Sequence, residues 1–120
     1  MQYYRVIGAA IVVISLLSTP AMAGHIAVKK DEIKFALGMR KNMGSYIRLS
    51  GILTDVLRSL KTEYSKMPSA ADNAVTRQAE DMLNEAGLAA SQDDFEGSFA
   101  ILNKATDLIL GAIDKFNSQN

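Results

Sequence analysis

With cysteine and tryptophan absent, metal ligation in this 120-residue chain would draw on one histidine, six methionines and thirteen acidic side chains. Thiolate metal sites, disulfides, a CxxCH haem attachment and a cysteine nucleophile are excluded by that composition. His25 has the widest repertoire. As the second residue of a processed chain it would offer imidazole beside a free α-amine and the intervening amide, a nitrogen set that suits Cu(II). The tighter amine–amide–imidazole site has histidine third, so the spacing favours a plain terminal histidine. Met39 and Met43, four apart, could present two thioethers to Cu(I). Their helical face also carries Tyr46 and Leu53, where methionine serves as flexible core filler.

Carboxylates cluster at Asp31/Glu32, Glu80/Asp81/Glu85 and Asp93/Asp94. Asp81 and Glu85 stand one helical turn apart and could hold a divalent cation weakly. No glycine-turned loop separates ligands there, which favours a solvated acidic face. The chain has no G-x-S-x-G elbow, no Walker loop, no H-E-x-x-H, and no histidine placed to activate a serine. A general base would have to be a surface Asp or Glu with nothing to set it in a pocket. The expectation is a protein that is not an enzyme and carries no cofactor or resident metal.

These groups must be positioned by whatever follows residue 23. Arg5 makes a short positive n-region, and residues 6–17 are apolar except for Gly8 and Ser15. Ser18-Thr19-Pro20 breaks the run, and Ala21-Met22-Ala23 is an A-x-A cleavage site. As a helix the run is roughly 18 Å long, short of a ~30 Å bilayer core, which predicts a secretory signal cleaved after Ala23. The alternative is an uncleaved anchor; a lipoprotein is excluded because no cysteine follows. The expected mature chain is residues 24–120, one helical domain exported to the periplasm, meeting the membrane only through its leader.

In the mature chain, Asp31 is placed to cap a helix with Glu32 in its first turn. Phe35, Met39, Met43, Tyr46, Leu49, Leu53, Val56, Leu57, Leu60, Tyr64 and Met67 recur at 3–4 spacing in one sector of a helical wheel. This predicts a helix over 31–66, up to ~36 residues and roughly 54 Å long, unless Gly44-Ser45 or Ser50-Gly51 breaks it. Pro68 ends the segment. A second helix over 72–91 carries a small-residue stripe: Val75, Ala79, Met82, Leu83, Ala86, Ala89 and Ala90. Asp93 and Glu96 have capping-box spacing. The third helix presents Phe95, Phe99, Leu102, Ala105, Ile109, Ala112, Ile113 and Phe116. The fold class is all-α: an antiparallel bundle of a long helix and an Ala-rich hairpin, three helices if the first is continuous and four if it breaks.

Charge balances overall, 13 against 13, which disfavours a nucleic-acid binder. It is unevenly divided: residues 24–66 hold nine basic and four acidic residues, and 67–120 hold three basic and nine acidic. Either the halves complement each other within one bundle, or a basic face meets an anionic membrane or partner. Such attraction is screened beyond about 10 Å at moderate salt.

Ile33-Lys34-Phe35, Lys41, Met43 and Gly44, with Leu88-Ala89-Ala90, Asp94 and Asp114-Lys115-Phe116, resemble the first and last helices of cytochrome c′-type four-helix bundles. Ala36 and Arg40 depart from that pattern, and the chain looks one helix short. Ile109-Leu110-Gly111-Ala112-Ile113 stands where the family attaches haem, so the resemblance implies a haem-less relative without the family's redox or gas-binding role. Phe95, Ser98, Leu102 and Ala105, with Ala86 upstream, are similar to one tetratricopeptide hairpin over about 78–108. Glu85 and Ala89 depart from it, and a solenoid needs at least about three units.

Opposite the main stripe of the first helix lie Ile33, Leu37, Gly44, Ile47 and Gly51. Each glycine costs about 1 kcal/mol against alanine in a helix, a cost that close approach of another helix would offset. Lys41 and Arg48 flank this face as charged rims flank an interface core; Arg40 falls inside it. Either the helix breaks at these glycines and its N-terminal piece packs within the monomer, or the face joins two copies or docks a protein partner. The functional expectation is a non-catalytic exported protein acting by protein–protein interaction or self-association. The alternative is a periplasmic small-molecule or metal carrier with its site inside the bundle.

Overall fold

A computed structural model describes residues 25–66 and 73–119. The leader with its cleavage site, Met67 and the linker over 68–72 lie outside the described residues. Four helices and no strand occur among them: α1 (Lys30–Leu37), α2 (Met43–Tyr64), α3 (Asn73–Ser91) and α4 (Phe95–Ser118). The all-α bundle is therefore present, with four helices rather than three or one too few.

The fourth helix arises because the expected 31–66 helix is interrupted, and at a place the glycine argument did not name. The Gly38 N–H still bonds back to the carbonyls of Lys34 and Phe35, and there α1 stops. α2 restarts on a reciprocal capping box. The Ser45 N–H donates to Asn42 Oδ1 (3.0 Å), and the Asn42 N–H donates to Ser45 Oγ (3.0 Å). The buried Ser45 hydroxyl also donates to the Arg40 carbonyl. Two donors that a helix start leaves unsatisfied are thereby satisfied locally, so the break needs no distant support. Gly44 and Gly51 both lie inside α2.

A second correction concerns α1's start. Its N-cap is Lys29, with no side-chain capping bond; Asp31 and Glu32 sit in the first turn, where carboxylates favour the positive helix end. Residues 25–29 precede α1 and are clamped to the end of α4. The Ile26 N–H donates to Asn117 Oδ1 (2.9 Å), and Asn117 Nδ2 donates to the Ile26 carbonyl (2.9 Å). Lys30 and Asp114 add an exposed ion pair at 3.3 Å.

The helices alternate in direction. Tyr64 and Phe116 pack with ring centroids 5.9 Å apart, which brings the C-terminal ends of α2 and α4 together. Between them α3 runs the other way: Lys61 of α2 pairs with Glu80, and a Cβ on Gly87 would meet the Tyr46 hydroxyl at 3.0 Å. The core is filled by Leu49, Leu53, Leu57 and Leu60 of α2, Ala79, Ala86 and Ala90 of α3, and Phe99, Leu102, Ile109, Ile113 and Phe116 of α4. A large aliphatic or aromatic side chain buried in this way contributes about 1.5–3 kcal/mol.

The α3–α4 hairpin is the tightest part of the molecule. With alanines on the facing stripe, the Ser98 hydroxyl reaches the Ala86 carbonyl at 2.8 Å in the buried interior. The turn corrects the expected cap. Asp93 takes a left-handed conformation, φ 62°. Its N–H donates to the Ala90 carbonyl and that of Asp94 to the Ala89 carbonyl, the Schellman arrangement for ending a helix. Asp94, not Asp93, caps α4 by accepting from the Gly97 N–H at 2.9 Å. A Cβ on Gly97 would collide with that carboxylate, so a side chain there would displace the cap.

Candidate functional site

The three candidate metal ligands do not converge. His25 is exposed in the segment before α1, beside Arg58 and Thr62 in the C-terminal half of α2. Met39 lies in the α1–α2 turn, half-buried against the core, whereas Met43 begins α2 and is 42% exposed. The break between them removes the common helical face on which a thioether pair depended, and it overturns the expectation that Met43 fills the core. Asp81 and Glu85 are exposed on α3. Among the described residues no three His, Cys, Asp or Glu side chains are grouped as a metal site. An open groove of about 620 Å³ lies between α2 and α3, lined by Leu57, Arg58, Lys61, Glu80, Leu83 and Asn84. The Lys61–Glu80 ion pair belongs to its lining, and apolar side chains occupy the bundle interior.

The five interface candidates separate into two groups. Ile33 is 1% exposed in the core and Leu37 is half-buried against it, so both leave the proposed face. Gly44, Ile47 and Gly51 remain on the solvent side of α2. A Cβ on Gly51 would meet nothing within 4 Å, so close packing inside the chain does not explain that glycine, whereas one on Gly44 would press on the capping Asn42 Oδ1 at 3.3 Å.

What joins Ile47 at the surface is different from the expected set. Among the described residues the exposed large hydrophobic side chains are Phe35 (62%), Met43 (42%), Ile47 (60%) and Leu88 (65%). Phe35 was expected in the core stripe; the break turns α1 so that Ile33 and Ala36 face inward and Phe35 outward. Its ring lies under the Arg48 guanidinium, 5.5 Å from centroid to Cζ, a cation–π contact between α1 and α2. Leu88 is not among the interface candidates of the sequence, although its place outside the alanine stripe of α3 is a readable signal. The Gly87–Tyr46 approach places the end of α3 beside the start of α2. All four side chains therefore belong to one end of the bundle, the end bearing the α1–α2 and α3–α4 turns.

Charge at this end is sorted by sign. From 33 to 54 the chain has Lys34, Arg40, Lys41 and Arg48 and no acidic residue; from 78 to 103 it has six acidic residues and no basic one. The ion pairs among the described residues are Lys29–Glu32, Lys30–Asp114, Arg58–Asp55, Lys61–Glu80 and Lys66–Glu63. None uses Lys34, Arg40, Lys41, Arg48, Asp81, Glu85, Asp93, Asp94 or Glu96. The two halves do complement each other, through Lys30–Asp114 and Lys61–Glu80, but only away from this end.

No described helix is long and apolar enough to cross a membrane. No family model, curated protein or solved structure matches this chain.

Proposed function

We propose that the chain is an exported, non-catalytic helical protein that acts by binding protein through the end of the bundle bearing its two short turns. The observation that carries this reading is the grouping of Phe35, Met43, Ile47 and Leu88 at that one end. Among the described residues the other large apolar side chains are buried or half-buried, and exposed apolar groups collected in one place mark interaction surfaces where single scattered ones do not. Arg40, Lys41 and Arg48 supply a charged rim on the α1–α2 side. Export rests on the sequence of residues 1–23, with its short apolar run and A-x-A ending. Kinship to cytochrome c′-type bundles is part of the proposal only as a haem-less helical scaffold, since Ile109 and Ile113, where haem attachment would stand, are core residues of α4.

Affinity capture from the native envelope, with wild type and Ile47→Lys compared by mass spectrometry, tests the reading. A bound protein, whether another chain or a second copy, retained by wild type and lost by the folded variant supports it. Equal capture by both moves the binding site elsewhere. A small organic molecule or metal that stays with both proteins in native mass spectrometry would instead favour a carrier.

A further inference from the structure

We infer that the partner at this end is a second copy of the same chain, joined about a two-fold axis so that each copy's basic α1–α2 corner faces the other's acidic α3–α4 corner. This rests on the protein-binding reading above and names its partner.

Charge complementarity singles out a second copy. A two-fold contact brings the same patch of both copies together, so a patch of one sign repels itself. Here the patch holds both signs, side by side and separated. Lys34, Arg40, Lys41 and Arg48 lie around Phe35, Met43 and Ile47, while Glu85 flanks Leu88 and Asp93, Asp94 and Glu96 occupy the adjoining turn and the start of α4. Rotation by half a turn sets positive on negative twice and lays the apolar side chains between them. None of these eight charges has an ion-pair partner among the described residues, so pairing them across copies breaks no ion pair within one copy. An anionic membrane fits the same end less well. It would attract the basic corner, but the acidic corner at the same end of the bundle would be repelled. Gly51, which no contact inside the chain explains, lies on the outward face of α2 one turn from Ile47, where it leaves room for a second helix.

The test is charge reversal read by sedimentation, on protein purified after expression of the full chain. Wild type should sediment at twice the mass of one chain, and high salt should weaken the dimer because the rim charges are exposed. Arg40→Glu with Lys41→Glu, and separately Glu85→Lys with Glu96→Lys, should each weaken it roughly tenfold or more while circular dichroism stays unchanged. An equimolar mixture of these two variants should dimerise again, because each heterodimer restores opposite signs on both sides of the axis. Ile47→Lys should also be monomeric. A mixture that stays monomeric overturns the inference, as does a dimer that survives Ile47→Lys. Were wild type monomeric, an envelope protein captured by it and lost by Ile47→Lys would overturn the inference and leave the broader protein-binding function standing. Monomeric wild type that binds vesicles of anionic lipid through Arg40 and Lys41, and captures no protein, would overturn both.

Discussion

The α3–α4 hairpin and the α1–α2 corner share one end of the bundle and solve opposite problems. In the hairpin, alanines at 79, 86 and 90 let two helices close on each other, and the Ser98–Ala86 hydrogen bond is sealed in the interior. In the corner, a five-residue turn separates the helices, and Phe35, Met43 and Ile47 stay at the surface. Close packing of the first kind leaves no room for added volume. The second kind leaves apolar area in water, which burial against another surface would stabilise. The difference teaches that the molecule's folding energy and its proposed binding surface are carried by separate residues, so they can be mutated separately.

The comparison breaks most visibly at Ala86. Replacing this fully buried alanine with leucine (Ala86→Leu) forces side-chain volume between α3 and α4 and should destabilise by about 1–3 kcal/mol. An unchanged thermal midpoint would show that the hairpin is loosely packed. Asn42→Ala removes the Oδ1 that accepts from the Ser45 N–H, and loss of such a cap costs about 1 kcal/mol. Denaturant unfolding measures it; no loss would mean that the corner is held by packing rather than by its capping box. Gly51→Ala acts in the other direction. The site is exposed on α2 with open space around the added carbon, so the monomer should gain up to about 1 kcal/mol from helix propensity. Smallest of all is the effect of Ile47→Lys on monomer stability, expected within about 0.5 kcal/mol for an exposed site. A larger loss, read in chemical unfolding of the monomeric variant, would return Ile47 to the fold and remove it from the binding surface.

Much of this architecture was legible from residue order alone, because the signals involved are local. Apolar spacing marked the stripes of α2, α3 and α4, and the turn-forming and capping residues around 92–96 marked the hairpin. Such features depend on neighbours within a turn or two of helix. The break between α1 and α2 was local as well, since Gly38 and the Asn42–Ser45 pair are visible in the sequence. A periodicity argument passed over them because Met39 and Met43 continued the apolar spacing across the gap.

Which residues of α1 enter the core was not legible in that way. Along an unbroken helix each residue's direction follows from its neighbours at 100° per step, and this put Phe35 inside and Ile33 outside. Across a non-helical turn that register is lost. The orientation of α1 is then chosen by packing against α2 and by the Ile26–Asn117 clamp on α4, which buries Ile33 and Ala36 and turns Phe35 out. The surface patch has the same origin. Leu88 and Ile47 are 41 positions apart in the chain, and only the antiparallel contact of α2 with α3 brings them to one end. Stripes and caps are set by bonds and spacings along the chain, whereas the patch depends on how separate helices rotate and meet.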